Sequence, residues 1–286
     1  MPPLPTVLRD RLLSARNPDG GWPYYRGKTS RLEPTAWALL ALQAAGEKVT
    51  AEALTAWPRK DGLFVDRSSD LVNLAFNGTA GVVLSALGGD SGSGRALGDA
   101  LIASKGQKIG ESTINRQDNA LQGWSWTTGT FSWVEPTAWG LLALKRLRCR
   151  DETALQRIKD AERLMADRIC EGGGWNHGNS NMLGVELSPY VTTSALGLLA
   201  LGDRRSEAHV VATLGYLRDH RLDERSGMAL SLTRVALGVF DQPAGGVDDA
   251  LAATAAHTGF LDNLHLTAMA LYALSAARGG YEAFRV

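Results

Sequence analysis

The chain has 286 residues, with 30 basic and 30 acidic side chains and a formal charge of zero. That balance, without a long basic cluster, argues against a nucleic-acid partner. Two cysteines make no disulfide framework, no apolar run reaches the roughly 18 residues of a membrane span, and the opening residues lack the apolar core of a signal peptide.

The first predicted element is a helix over TAWALLAL, which begins at Thr35 behind the glycine-aromatic turn GGWPYYRGKTSRLEP (20–34). Within that turn RGKTS (26–30) ends like a phosphate loop, but Trp22 stands where the first glycine belongs and no strand precedes it. A second apolar run, AGVVLSAL, begins at Ala80, and GGDSGSG (88–94) reads as a loop after it. The turn GWSWTTGTFSWVEP leads into TAWGLLAL at Thr137. In DETALQRIKDAERLMADRIC (151–170), Leu155, Ile158, Ala161, Leu164, Met165 and Ile169 form one stripe, which predicts an amphipathic surface helix. A glycine-rich turn carrying Asn176 and His177 precedes SALGLLAL at Ser194. SEAHVVATLGYLRDH (206–220) reads as another amphipathic helix. LSLTRVAL at Leu230 is interrupted by Arg234, GGVDDALAAT reads as a turn and helix start around Asp248 and Asp249, and TAMALYAL begins at Thr267. No strand is predicted.

Six apolar runs thus recur 36 to 57 residues apart, rich in the strong helix formers Ala and Leu and apolar nearly all round. Such helices need cover on every side. Each unit is an outer amphipathic helix, a glycine-rich turn and an inner apolar helix. An open array of such pairs needs polar capping repeats, and the last run here is not polar. The expectation is therefore an all-α fold, an (α/α)6 double-ring toroid of about twelve helices, with residues 1–286 forming one domain of six helix-pair repeats.

The stretches GGWPYYRGKTSRLEPTAWALLAL, GWSWTTGTFSWVEPTAWGLLAL and GGGWNHGNSNMLGVELSPYVTTSALGLLAL resemble the prenyltransferase and squalene-oxidase repeat. That resemblance implies the toroid of terpene cyclases, squalene-hopene cyclases and protein prenyltransferase β-subunits. The chain departs from the family in several places. Arg16 and Ile169 stand where the cyclases' QxxxGxW form has glutamine. Glu33 and Glu135 stand where DxDD has its proton-donating middle aspartate, but Pro34 and Pro136 replace the last aspartate, and GCGEQ is missing. Ser188-x-Tyr190 replaces the zinc-binding Asp-x-Cys, and His265 is one residue out of register with the zinc histidine. No metal and no cofactor are expected.

Counting each apolar run from its first residue, the position two before it holds Glu33, Gly78, Glu135, Thr192, Met228 and His265. The position two after it holds Trp37, Val82, Trp139, Leu196, Leu232 and Met269. Residues four apart share a helix face, so each EPTAW sets a carboxylate one turn above an indole. In a closed ring Glu33, Glu135 and His265 would crown one end of a cavity walled by Trp37, Trp139 and Met269. Trp22, Trp124, Trp175 and Tyr190 lie in the preceding turns, where they line the rim or pack between units. A carboxyl group in an apolar pocket holds its proton more tightly, and indole faces attract cations. Within the resemblance, this implies proton-initiated cyclisation or isomerisation of a polyprenyl substrate, with Glu33 or Glu135 as acid and His265 as base or orienter. The same motif is also a good helix start, with a proline and an acid in the first turn.

Two other readings stay open. Glu33 and Glu135 could be the carboxylate pair of a carbohydrate-active enzyme, with sugars stacked on tryptophan. The toroid could also bind a lipid or protein without catalysis. A sugar site would be an open polar cleft and a terpene site a closed apolar one. The expected partner is a hydrophobic, isoprenoid-like small molecule. The expected location is the cytoplasm, with peripheral membrane contact left open.

Overall fold

The computed structural model describes residues 2–67, 69–88 and 91–286. Among these, twelve α-helices alternate between an inner and an outer layer. The inner helices are α2 (Leu32–Ala44), α4 (Leu74–Ala86), α6 (Val134–Arg146), α8 (Val191–Ala200), α10 (Gly227–Val239) and α12 (Leu264–Ser275). The outer ones are α1 (Leu4–Leu13), the single turn α3 (Glu52–Thr55), α5 (Ser91–Ala103), α7 (Glu152–Asp167), α9 (Ala208–His220) and α11 (Val247–Thr258). Each inner helix packs against the inner helix before and after it, and α12 packs against α2, which closes the ring. All six predicted runs are inner helices.

Inner and outer helices differ because their sequences do. Every residue from Pro34 to Leu42 of α2 is buried, as an apolar helix with no polar face requires. On α7 only one stripe is buried. That stripe differs in detail from the expected one: Leu155 is 41% exposed, and Arg157 is buried instead. The Arg157 guanidinium donates to the carbonyls of Gln122, Ser104 and Gly123 and lies 3.6 Å from the Trp124 ring. Carbonyls that end a helix and a turn need donors, and a long cation supplies several at once.

The glycine-aromatic turns are the joints of the repeat. The Nε1 of Trp22, Trp124 and Trp175 donates to the carbonyl of Leu12, Leu101 and Met165, near the end of the preceding outer helix. The backbone N–H of the same three residues donates to Thr35, Thr137 and Ser194 on the following inner helix. Each indole thus ties one outer helix to one inner helix, and all three are fully buried. They pack between helices within the units, not at the rim. Gly140 and Gly197 make room for two of them, since a Cβ there would lie 2.5 Å from the Trp124 or Trp175 ring.

Several expectations are corrected. Two short antiparallel hairpins exist, β1 (Arg59–Lys60) with β2 (Leu63–Phe64), and β3 (Asn181–Met182) with β4 (Val185–Glu186). Their turns, Asp61-Gly62 and Leu183-Gly184, both hold positive φ, the geometry of a two-residue hairpin. Residues 91–94 of the expected loop open α5, while 89 and 90 lie outside the described residues. Pro34 and Pro136 are the third helical residues, in the first turn as expected, where the missing N–H costs no intrahelical bond. As expected, no helix among the described residues is long and apolar enough to cross a membrane.

Candidate active site

The glycine-rich turns also lace the starts of neighbouring inner helices together. Leu264 N–H donates to Tyr24 O, Leu74 N–H to Trp126 O, and Val134 N–H to His177 O. Glu224 accepts from Val191 N–H at the start of α8. Neighbouring inner helices therefore start on the same face of the ring, and whatever stands in their first turns meets there.

Glu33, Glu135 and His265 meet on that face. His265 Nε2 lies 3.7 Å from Glu33 Oε1, which joins the first unit to the sixth across the closure. The Tyr24 hydroxyl donates to Glu33 Oε2 at 2.5 Å. Glu135 is close enough for the Glu33 charge to act on it. Burial first, and that charge second, push the Glu135 carboxyl up to about 7. Helix-start position alone would favour the ionised form; desolvation outweighs it here. Burial also lowers the pKa of His265, with the Glu33 charge opposing. Its Nε2 is buried with no hydrogen-bond partner among the described residues. A proton-holding carboxyl, a second carboxylate and a buried imidazole make an acid-base constellation.

The expected cavity below it is filled. Trp37 and Trp139 touch edge to face across the ring axis, with centroids 6.1 Å apart. Gly78 on α4 permits this approach, since a Cβ there would lie 2.6 Å from the Trp139 backbone. Phe284, on a 3-10 turn spanning Glu282–Phe284, enters from the opposite end. It stacks on Trp37 at 5.7 Å and also meets Trp139 and Tyr272. Trp37 is 1% exposed, Trp139 5% and Met269 2%. These three residues are core, and their expected open wall is covered by the chain's own Phe284.

At the mouth of the ring beside these helix starts, polar and aromatic side chains reach solvent, Tyr25 among them. A cleft of about 490 Å³ adjoins Tyr24, lined also by Tyr25, Lys28, Thr29, Arg31 and Asn263. Across the mouth, Trp133, the residue before α6, meets Phe131 at 4.9 Å and His177 at 6.3 Å. His177 meets Tyr190 at 5.1 Å. Tyr190 is 44% exposed and stands at the start of α8. Asn176 is structural, accepting from Gly178 N–H and Asn179 N–H to hold its turn. Asp248 lies in the first turn of α11 and pairs with Arg234 at 2.7 Å, which accounts for the charge that interrupts the fifth run. Among the described residues, no group of three or more His, Cys, Asp or Glu side chains is placed to hold a metal ion. Sequence reading missed Tyr24, Trp133 and Phe284: Tyr24 and Trp133 do recur in place, as Trp126 and Tyr190 in other units, but the residue type changes from unit to unit, and Phe284 lies outside the repeats.

No family model matches the chain, and no curated protein matches it. Solved structures do. A family 76 glycoside hydrolase from a bovine Bacteroides thetaiotaomicron strain aligns with a TM-score of 0.62 at 11% identity, over 97% of this chain and 78% of that one. A family 76 glycoside hydrolase (mannosidase) from Bacteroides thetaiotaomicron gives 0.59 at 11% identity, over 97% of each chain. The ent-copalyl diphosphate synthase of Streptomyces platensis gives 0.51 at 17% identity, over 96% of this chain and 46% of that one. Likeness at such identities is one of fold. The (α/α)6 toroid is shared by glycoside hydrolases and a terpene cyclase alike, so the resemblance to the prenyltransferase repeat holds at the level of the toroid and is not specific for that chemistry.

Proposed function

We propose that this chain is a carbohydrate-active enzyme that cleaves glycosidic bonds at the mouth of the toroid. The observation that carries the reading is a carboxyl raised to about 7 beside a second carboxylate, at a polar, aromatic-rimmed mouth over a filled axis. Glycosidases divide labour between two such groups. Glu135 gives its proton to the leaving oxygen. Glu33, hydrogen-bonded by Tyr24, is the base or nucleophile. His265, neutral and 3.7 Å away, positions Glu33. The likeness of fold to family 76 glycoside hydrolases supports this reading. Release of reducing ends from manno-, gluco- and xylo-oligosaccharides tests it. Activity abolished by Glu135→Gln and by Glu33→Gln supports the pair; full activity in both variants removes it.

A second reading is a proton-initiated cyclase or isomerase acting on a polyprenyl substrate. It is favoured by Trp37 and Trp139, one turn below the two carboxylates, and by the fold of ent-copalyl diphosphate synthase. It requires Phe284 to leave the axis. Conversion of a prenyl substrate by the wild type, with no cleavage of any oligosaccharide, would decide for it.

A further inference from the structure

Beside the mouth, a second cavity of about 220 Å³ lies between the loop 107–121 and the turn 177–179. One wall is aromatic: Phe131, 42% exposed, Trp133 and His177. Two backbone bonds fix it, Trp133 N–H to Trp124 O at 3.0 Å and Val134 N–H to His177 O at 3.1 Å. The other wall sets a ladder of amides among the apolar side chains of Ile109, Ile114 and Leu121. Gln117 Nε2 donates to Asn119 Oδ1 at 3.1 Å, and Asn119 Nδ2 donates to Asn115 Oδ1 at 3.2 Å. Gln117 Oε1, at the end of the ladder, is buried with no hydrogen-bond partner among the described residues.

Ring faces opposite planar amides suit a ligand with apolar C–H faces and a rim of hydroxyls. The unpartnered Gln117 oxygen needs a donor, which a hydroxyl supplies and an aliphatic chain does not. No charged ligand is called for, because the amides are neutral and can both give and accept, and Arg168, which also lines the cavity, is already paired with Asp167 and donates to Asp118 O. We infer that this cavity is a subsite for one neutral sugar unit, held between Phe131 and Trp133 on its face and Gln117, Asn119 and Asn115 on its edge. Trp133 stands two residues before Glu135, at most about 7 Å along the backbone. A glycan seated here therefore continues over Trp133 toward the carboxylates. The inference rests on the reading of the mouth as a glycan site for that direction of the chain, and on the cavity's own chemistry for the rest.

The test is calorimetric titration of the full chain carrying Glu135→Gln with manno-, gluco- and xylo-oligosaccharides of two to six units. In at least one series, affinity should rise with length. Adding Phe131→Ala, or separately Gln117→Met, should weaken the longest ligand at least tenfold and remove the gain from length. Phe131 is largely exposed, so its truncation leaves the fold intact, and circular dichroism checks both variants. Unchanged affinity in both variants overturns the subsite. Oligosaccharide binding that both variants weaken, in a wild type that cleaves none of them, upholds the subsite and counts against the proposed reaction. Cleavage by the wild type with no dependence on Phe131 or Gln117 does the reverse.

Discussion

At the scale of single residues, the two EPTAW glutamates are alike in sequence and unlike in place. Glu33 accepts from Tyr24 and faces His265, whereas Glu135 is half-buried, desolvated and acted on by the charge of Glu33. The fold therefore favours the protonated form of Glu135. Its contribution to stability is complete below the ordinary carboxyl value of about 4.5 and is lost as pH rises through about 7. Glu135→Gln removes that dependence. Between pH 5 and pH 8, urea denaturation should show the wild type losing on the order of 1–3 kcal/mol relative to the variant. In the same range the wild-type rate should fall as pH rises past about 7, because the acid loses its proton. The variant should lose roughly 10²–10⁴-fold in rate at any pH. The carboxylate positions were legible from the repeat offset. Their unequal environments were not, because Tyr24 reaches Glu33 from the turn before α2, whereas the residue at the same place before α6, Trp126, has no hydroxyl to offer Glu135.

At the scale of elements, the joints of the repeat are the tryptophans of the glycine-rich turns. Trp124→Phe drops the N–H, leaving Leu101 O without its partner, and removes one ring of a fully buried indole. Chemical denaturation should show a loss of about 2–4 kcal/mol. Gly140→Ala pushes a methyl group to within 2.5 Å of the same ring and should cost about 1–3 kcal/mol. The apolar runs were readable as helices because their composition leaves no other element open to them. The hairpins were missed although Lys60-Asp61-Gly62-Leu63 carries the Asp-Gly signal, because two-residue strands give no alternation to detect. The start of α5 was missed because Ser91 to Gly94 are turn formers, and packing against α4 and α6 overrides them. Leu155 and Arg157 were exchanged because a helical stripe says nothing of the three carbonyls that draw the guanidinium inward.

At the scale of the whole molecule, six-fold repetition and the need to cover apolar helices were enough to read a closed ring. What fills the ring was not readable, since Phe284 belongs to no repeat and arrives from the far end of the chain. Phe284→Ala should lower stability by about 3–5 kcal/mol and leave an apolar void between Trp37, Trp139 and Tyr272. Farnesol should then raise the thermal midpoint of the variant and leave that of the wild type unchanged. A rise in both would show that the axis opens in the native protein and would favour the polyprenyl reading. With the axis filled, the proposed chemistry lies at the mouth, where the first, third and sixth units meet. In the proposed reading, this meeting is a glycan-cleaving pair. Its most direct test is the rate of reducing-end release from the oligosaccharide panel by the wild type and by the Glu33→Gln/Glu135→Gln double variant, matched for folded protein by circular dichroism. The wild type should cleave at least one series, and the double variant should lose more than about 10³-fold. Equal rates in the two proteins, or conversion of a prenyl substrate with no cleavage of any glycan, would contradict it.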